Sequence, residues 1–416
     1  MAPTDAAACI DDRIGAPSPA METVAAPGKV ALVLLALAMG GFAIGVTEFA
    51  AMSVLPDFAA GLGVDEPTAG HVISAYAAGV VVGAPILAVL GARAPRWLLL
   101  IGFMALFAVG NTLSALAPNY EWMLAFRFLS GIPHGAYFGV AALVAASLVP
   151  LRLRTRAVST ILLGLTVATV IGVPVATAVS HAFGWRWTFA IVSVLAVITM
   201  ALVALFAPRD PAHADASPMR ELGALKRGQV WLTLGVGAIG FGGMFAVYAY
   251  LASTLTAVTG VGPEVLPWVF AMFGVGMMSG NLLGAWAADR YGMKAAGGLL
   301  LWSAAALALY PFAAPHLWAM LIVVFLIGGG GGLGSILQTR LMDVAGDAQT
   351  LAAALNHSAF NTANAIGPLL GGMAIAAGWG WTSTGWVGVA LSLGGFAVWV
   401  VAWLSGRNRS KPRLTS

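Results

Sequence analysis

Apolar residues along this chain come in long runs separated by short polar or turn-forming stretches. Twelve runs stand out, at about 30–54, 68–90, 97–117, 122–148, 157–180, 187–207, 230–257, 265–288, 295–314, 317–339, 350–377 and 383–405. At about 1.5 Å of rise per residue, some twenty helical residues cross a hydrocarbon core of about 30 Å. The runs do not show the ten-residue apolar/polar alternation of a membrane β-barrel. Turn residues punctuate them, among them Pro56-Asp57, Ala94-Pro95, Pro118-Asn119, Pro150, Gly184, Gly262-Pro263, Gly292, Pro315 and Gly378. The pattern predicts an all-α membrane protein with twelve transmembrane helices.

Composition sharpens that picture. The 416 residues are 60% hydrophobic and 9% charged, with a mean hydropathy of +0.91. A soluble domain carries roughly 25% charged residues. The single cysteine, Cys9, leaves no intrachain disulfide and no cysteine metal cluster. No Walker A sequence and no His-Glu-x-x-His occurs, so nothing points to ATP drive, a zinc protease or any other enzyme. No cofactor, metal or nucleic-acid partner is expected.

Charge sets the expected topology. With the N-terminus in the cytoplasm, all but two of the 20 Lys and Arg residues fall on the cytoplasmic side, as the positive-inside bias requires. The exceptions are Arg186, outside, and Arg127, within a span. The reading is a disordered cytoplasmic tail over 1–28, a six-helix half over 29–207, a linker over 208–228, a second half over 229–405 and a basic tail over 406–416.

The halves repeat. Gly79-x3-Gly83 followed by Arg93 returns as Gly276-x3-Gly280 followed by Arg290, at an offset of 197 residues. Gly172-Val-Pro174 has a counterpart in Gly367-Pro368. Two related membrane halves around a midplane site are the architecture of secondary transporters.

Few ionisable residues fall within the spans: Glu48, Arg127, His134 and His357, with His71 near an outer end. Such groups are costly in lipid and face a partner or a cavity. Glu48 lies about six residues before the outer end of the first run, and Arg127 about six after the outer start of the fourth. Equal depth predicts a Glu48–Arg127 pair if those helices are neighbours. The two groups either exchange protons as the cavity opens to each side, or only tie two helices together, or do not touch. His134, two turns beyond Arg127, shares its face along with Gly131. It either handles proton or substrate, or bonds a neighbouring helix.

Gly164, Ala168 and Gly172 form a small-residue groove in the fifth run, and Pro174 removes a backbone donor there. Placed between the halves, this groove would seal one side of a carrier. Asn361 and Asn364 add hydrogen-bonding groups to the eleventh run, with His357 on the same face. Asp289, beside Arg290 and Gly292, is placed to form a charge clasp that latches one conformation. Phe245, Tyr248 and Gln338 are candidates for cavity lining, although lipid-facing or core packing accounts for each of them equally well.

Several of these stretches resemble the major facilitator superfamily over about residues 30–405. Asp289-Arg290-x-Gly292 resembles its loop motif, and Arg127-x3-Gly131 its fourth-helix motif linked to proton transfer. Gly164-x7-Gly172-Val-Pro174 resembles the exporter motif of helix five, departing at Ala176-Thr177 where paired glycines are usual. Thr47-Glu48-Phe49, Ala69-Gly70-His71-Val-Ile-Ser74-Ala-Tyr76, Pro133-His134-Gly135 and Gly184-Trp185-Arg186 resemble the arabinose-efflux-like permeases of the drug:proton antiporter branch. The resemblance implies two pseudo-symmetric halves, with Arg127 as the proton-relay residue. It also implies proton-coupled efflux of a small amphipathic molecule such as a phenicol, or else of a sugar or another metabolite. The expected setting is the cytoplasmic (inner) membrane, with protons, lipid and a small substrate as partners and a monomer as the working unit.

Overall fold

The computed structural model describes residues 27–91, 93–150, 153–211, 226–345 and 349–409. The N-terminal tail with Cys9, most of the linker and the end of the basic tail lie outside these residues. Eleven helices among the described residues are long and apolar enough to span a membrane. They are α1 Gly28–Ser53, α2 Glu66–Leu87, α3 Arg96–Ala115, α4 Tyr120–Ser147, α5 Ala157–Phe183, α6 Arg186–Phe206, α7 Gly228–Ala249, α8 Leu266–Tyr291, α9 Met293–Ala313, α10 Leu317–Ala345 and α12 Ser383–Gly406. The twelfth, α11 Gln349–Ala374, is as long as the others. It is too polar for that class because it carries Asn356, His357, Asn361 and Asn364. A helix this polar belongs inside a bundle, and α11 packs between the halves, against α2 and α4 on one side and α7 on the other.

Each half is built the same way. In the first, α2 packs on α4, α3 on α6 and α1 on α5; in the second, α8 packs on α10, α9 on α12 and α7 on α11. The repeat extends to single contacts. A Cβ on Gly79 would run into the Phe128 carbonyl, and one on Gly131 into the Tyr76 carbonyl. The same holds 197 residues later, for Gly276 on Phe325 and Gly328 on Phe273. These glycines let helix backbones touch, which is how helices associate in lipid without a hydrophobic driving force.

The halves meet along α2–α11 and α5–α8. We call the side where the described chain begins and ends the terminal face, and the other the distal face. Near the distal face Ser253 donates to the Glu66 carboxylate across the seam. Deeper in, Ser74 donates to the Ala365 carbonyl at 2.9 Å. The Tyr250 hydroxyl, which donates to the Pro368 carbonyl at 3.0 Å, wedges between Gly70 of α2 and Gly372 beyond α11's midpoint.

Several runs differ from uninterrupted helices. Pro56-Asp57 does not end the first run in a loop: a short helix, Leu55–Leu62, starts there and is capped by left-handed Gly63. Helix α4 breaks between Gly131 and His134, where Pro133 offers no N–H. Helix α10 breaks at the equivalent depth into a 3₁₀ turn over Gly330–Gly332. In α5 the backbone widens into a π-turn over Ala168–Gly172 just before Pro174, which accommodates the missing donor without a sharp kink.

Candidate functional site

Three successive residues of α1 organise the centre of the molecule. Consecutive helical positions differ by about 100°, so Thr47, Glu48 and Phe49 face three different neighbours.

Thr47 faces Arg127. The arginine is 1% exposed. Its Nη1 donates to Thr47 Oγ1 at 3.0 Å, and its Nη2 to the Thr47 carbonyl at 3.4 Å. The guanidinium Cζ sits 4.3 Å from the centroid of the Tyr76 ring and 5.2 Å from that of Phe189. Thr47 Oγ1 donates in turn to Asn111 Oδ1 at 2.6 Å, and Asn111 Nδ2 to the Phe107 carbonyl at 2.9 Å. Three neighbouring helices of the first half, α1, α2 and α6, thus enclose the cation of α4 by hydrogen bonds and aromatic faces, and α3 braces Thr47. Arg127 Nε has no hydrogen-bond partner among the described residues.

Glu48 faces the other half. Its Oε1 accepts from Asn364 Nδ2 of α11 at 3.0 Å, and the residue is 6% exposed. Among the described residues there is no Glu48–Arg127 ion pair within 4.0 Å. The expected direct pair is therefore corrected. The depths match and α1 is the partner helix, but the rotation of α1 gives Thr47 to the arginine and turns Glu48 toward the seam.

Phe49 faces the aromatics of α7. Its ring stacks on Phe245 at 6.2 Å and meets Tyr248 edge-on at 5.5 Å. Tyr248 is completely buried, with Phe270 at 5.2 Å and Phe273 at 4.4 Å. Its hydroxyl has no partner among the described residues.

Below this cluster, toward the terminal face, His134 Nδ1 lies 3.0 Å from the Tyr76 hydroxyl. The His134 and His357 ring centroids are 6.1 Å apart across the seam, and Phe138 stacks flat on His357 at 4.9 Å. A line of contacts therefore runs from Arg127 through Tyr76 and His134 to His357, crossing from one half to the other.

The other candidate residues make the following contacts. Half-buried Gln338 accepts through Oε1 from Asn356 Nδ2 at 2.6 Å, which ties α10 to α11. Gly164 lies against the Ala38 carbonyl, and Gly172 against Val46 and Phe42. The groove of α5 therefore seats α1 of its own half, not the opposite half as expected. The seam contact of α5 is made instead by the Thr169 carbonyl against Gly274 of α8. Gly367 likewise seats α7, against Gly242 and Phe245. Pro368 supplies the carbonyl that Tyr250 uses. Asp289 and Arg290 are exposed, and no ion pair to Asp289 is present among the described residues. Gly292 adopts φ 53°, a left-handed value that closes α8 and favours glycine. The first half uses a different device: Asp210 accepts from the N–H groups of Arg96 and Trp97 at 3.0 and 3.3 Å and holds the start of α3.

Asn111 was not singled out from the sequence, and Thr47 and Tyr76 entered only within resemblance motifs. The signal for Asn111 was present: one amide inside the apolar run 97–117 needs a buried partner.

Comparison with known proteins agrees with this architecture. The sequence profile of the Major Facilitator Superfamily matches residues 37–258 and 232–416. The "Inner membrane transport protein YdhP" of Escherichia coli (strain K12) is 39% identical over 355 residues, 85% of this chain and 91% of that protein. The "Chloramphenicol resistance protein" of Streptomyces lividans is 35% identical over 347 residues, 82% of this chain and 88% of that one. The crystal structure of a bacterial homologue of the human lysosomal transporter Spinster, in an inward-facing and occupied conformation, superimposes with a TM-score of 0.71. It does so at 16% identity, over 93% of this chain and 100% of that one. Twelve helices in two matched halves, a buried cation and carboxylate at the centre, and these relationships lead to one conclusion: the chain belongs to the Major Facilitator Superfamily.

Proposed function

We propose that this protein is a proton-coupled exporter of small amphipathic molecules, of the phenicol type, working by alternating access as a monomer in the inner membrane. The terminal face is cytoplasmic on this reading, in keeping with the distribution of Lys and Arg. The observation that carries it is Glu48. It is a buried carboxylate that contacts the opposite half through a neutral amide and is not locked to the arginine of its own half. A proton arriving there removes a charge from the seam, and an uncharged seam tolerates a rearrangement that a buried charge resists.

Arg127 acts beside it. Held by Thr47 and Tyr76, it keeps a positive potential over Glu48 in the deprotonated state. His134 and His357 lie on the terminal-face side of the pair and offer a route for the proton. On this reading the Glu66–Ser253 contact, with Ser74–Ala365 deeper in, keeps the carrier closed toward the outside. Release outward requires these contacts to part while the terminal side closes. The phenicol class is supported by the Streptomyces relative, named for resistance to chloramphenicol.

Purified protein in proteoliposomes with an imposed pH gradient tests this reading. Chloramphenicol should move against its concentration gradient when protons flow the other way. Movement indifferent to the gradient and to an uncoupler would contradict proton coupling.

A further inference from the structure

Among the described residues, the buried polar atoms on the seam-facing side of α11 do not all have a partner. Asn361 and Asn364 are 2% and 0% exposed. Asn364 Nδ2 donates to Glu48, and Asn361 Nδ2 donates to the His357 carbonyl at 3.0 Å. With Glu48 deprotonated both partners are acceptors, so each amide presents its nitrogen to its partner. That leaves Asn361 Oδ1 and Asn364 Oδ1 as acceptors, and neither has a donor among the described residues. An unsatisfied buried acceptor is expensive, and native proteins keep one where something else supplies the donor.

The two oxygens belong to one surface. Residues three or four apart share a helix face, which groups His357, Asn361 and Asn364 with Ala365, whose carbonyl is bonded by Ser74 of α2. The group therefore looks at the first half. Half-buried His357 marks its more open end toward the terminal side. At its other end Glu48 adds a carboxylate, a third acceptor. Beside it stands an aromatic wall: Phe245 packs against Gly367, one turn beyond Asn364, and Phe49 stacks on Phe245.

We propose that Asn361 and Asn364 form the polar wall of the substrate site, and that it takes an aromatic molecule that donates at least two hydrogen bonds from hydroxyl groups. This rests on the exporter reading above and narrows it, because an apolar dye without donors would leave both amide oxygens unpaired. The ring would lie on the Phe49–Phe245 side and the hydroxyls on the α11 side.

The test is equilibrium binding to the purified full-length protein, with chloramphenicol, an aromatic diol, and its di-O-methyl ether as probes. The ether keeps the ring and loses the donors. The wild type should bind the diol roughly tenfold tighter. Asn361→Leu removes one of the two amide acceptors and should cut the diol's advantage over the ether several-fold, and Asn361→Leu combined with Asn364→Leu should abolish it, while retained binding of the ether reports that each variant is folded. If Asn361→Leu is lost to misfolding, Asn364→Leu carries the same comparison. Equal wild-type affinity for diol and ether, binding of neither, or a preference undiminished in these variants overturns the proposal. None of those results bears on proton coupling, which is judged separately by gradient-driven transport.

Discussion

Arg127 is held by a threonine, and the consequences are specific. Its two Nη groups spend themselves on Thr47, whose hydroxyl is simultaneously committed to Asn111. Thr47→Val keeps the shape and removes the hydroxyl, leaving a guanidinium nitrogen and an amide oxygen unsatisfied. Each unsatisfied buried group costs about 1–3 kcal/mol, so the variant should unfold at a clearly lower temperature, while Thr47→Ser should behave like wild type. A thermal-unfolding assay on the purified proteins distinguishes the two, and equal midpoints for Val and wild type would show that the hydroxyl is dispensable. The depth of the Glu48 and Arg127 groups was legible in the sequence, because counting residues from the ends of apolar runs measures depth. Which of two adjacent residues faces the arginine was not, because a rotation of 100° about α1 leaves every depth unchanged. Asn364 stood out as polar, yet its reach across the seam to Glu48 depends on how the two halves dock.

Glycines placed where backbones touch set the helix register. Gly131→Ala would drive a methyl into the Tyr76 carbonyl, and Gly328→Ala one into Phe273 at the matching site of the other half. Both should lower thermal stability and the monodisperse yield. Gly139→Ala, on the same helix with nothing within 4 Å of the added carbon, should be neutral or slightly stabilising, since alanine favours helix by about 1 kcal/mol. The start of α2 shows a second local device. Asp65 accepts from the Thr68 N–H at 2.9 Å. Its bonds with the Thr68 hydroxyl and N–H hold its carboxyl below the usual range, helped by nearby His71. The sign follows: this small stabilisation is complete above the ordinary carboxylate value and is lost as pH falls through the lowered one. Asp65→Asn should therefore lose less stability than wild type between about pH 5 and about pH 3. The repeat of Gly79 and Gly83 in Gly276 and Gly280 was readable from spacing alone. The breaks in α4 and α10 were not read, since Pro133 and the glycine run allow a break without requiring one. The α5 groove announced tight packing, but spacing does not say which helix fills it.

At the scale of the molecule the halves are joined by a partly polar seam along α2–α11 and α5–α8. Glu66–Ser253 closes its distal end, Ser74–Ala365 ties the halves deeper in, and α11 carries polarity through its middle. Cysteines at positions 66 and 253, in a protein with Cys9 replaced by serine, should be bridged by a short bifunctional thiol reagent. Bridging should stop transport reversibly, whereas full transport by bridged protein would mean that this end need not open. Twelve spans and two halves could be read from hydrophobic length and the 197-residue repeat. The docking of the halves arises only from three-dimensional contacts between residues hundreds of positions apart.

The claim on which the account turns is that Glu48 carries the coupled proton. Glu48→Gln still accepts from Asn364 through its amide oxygen but cannot take up or release a proton. In proteoliposomes loaded with labelled chloramphenicol, this variant should retain exchange with external chloramphenicol at near wild-type rate, yet fail to accumulate it under an imposed pH gradient. Gradient-driven accumulation at the wild-type level by Glu48→Gln would contradict the assignment.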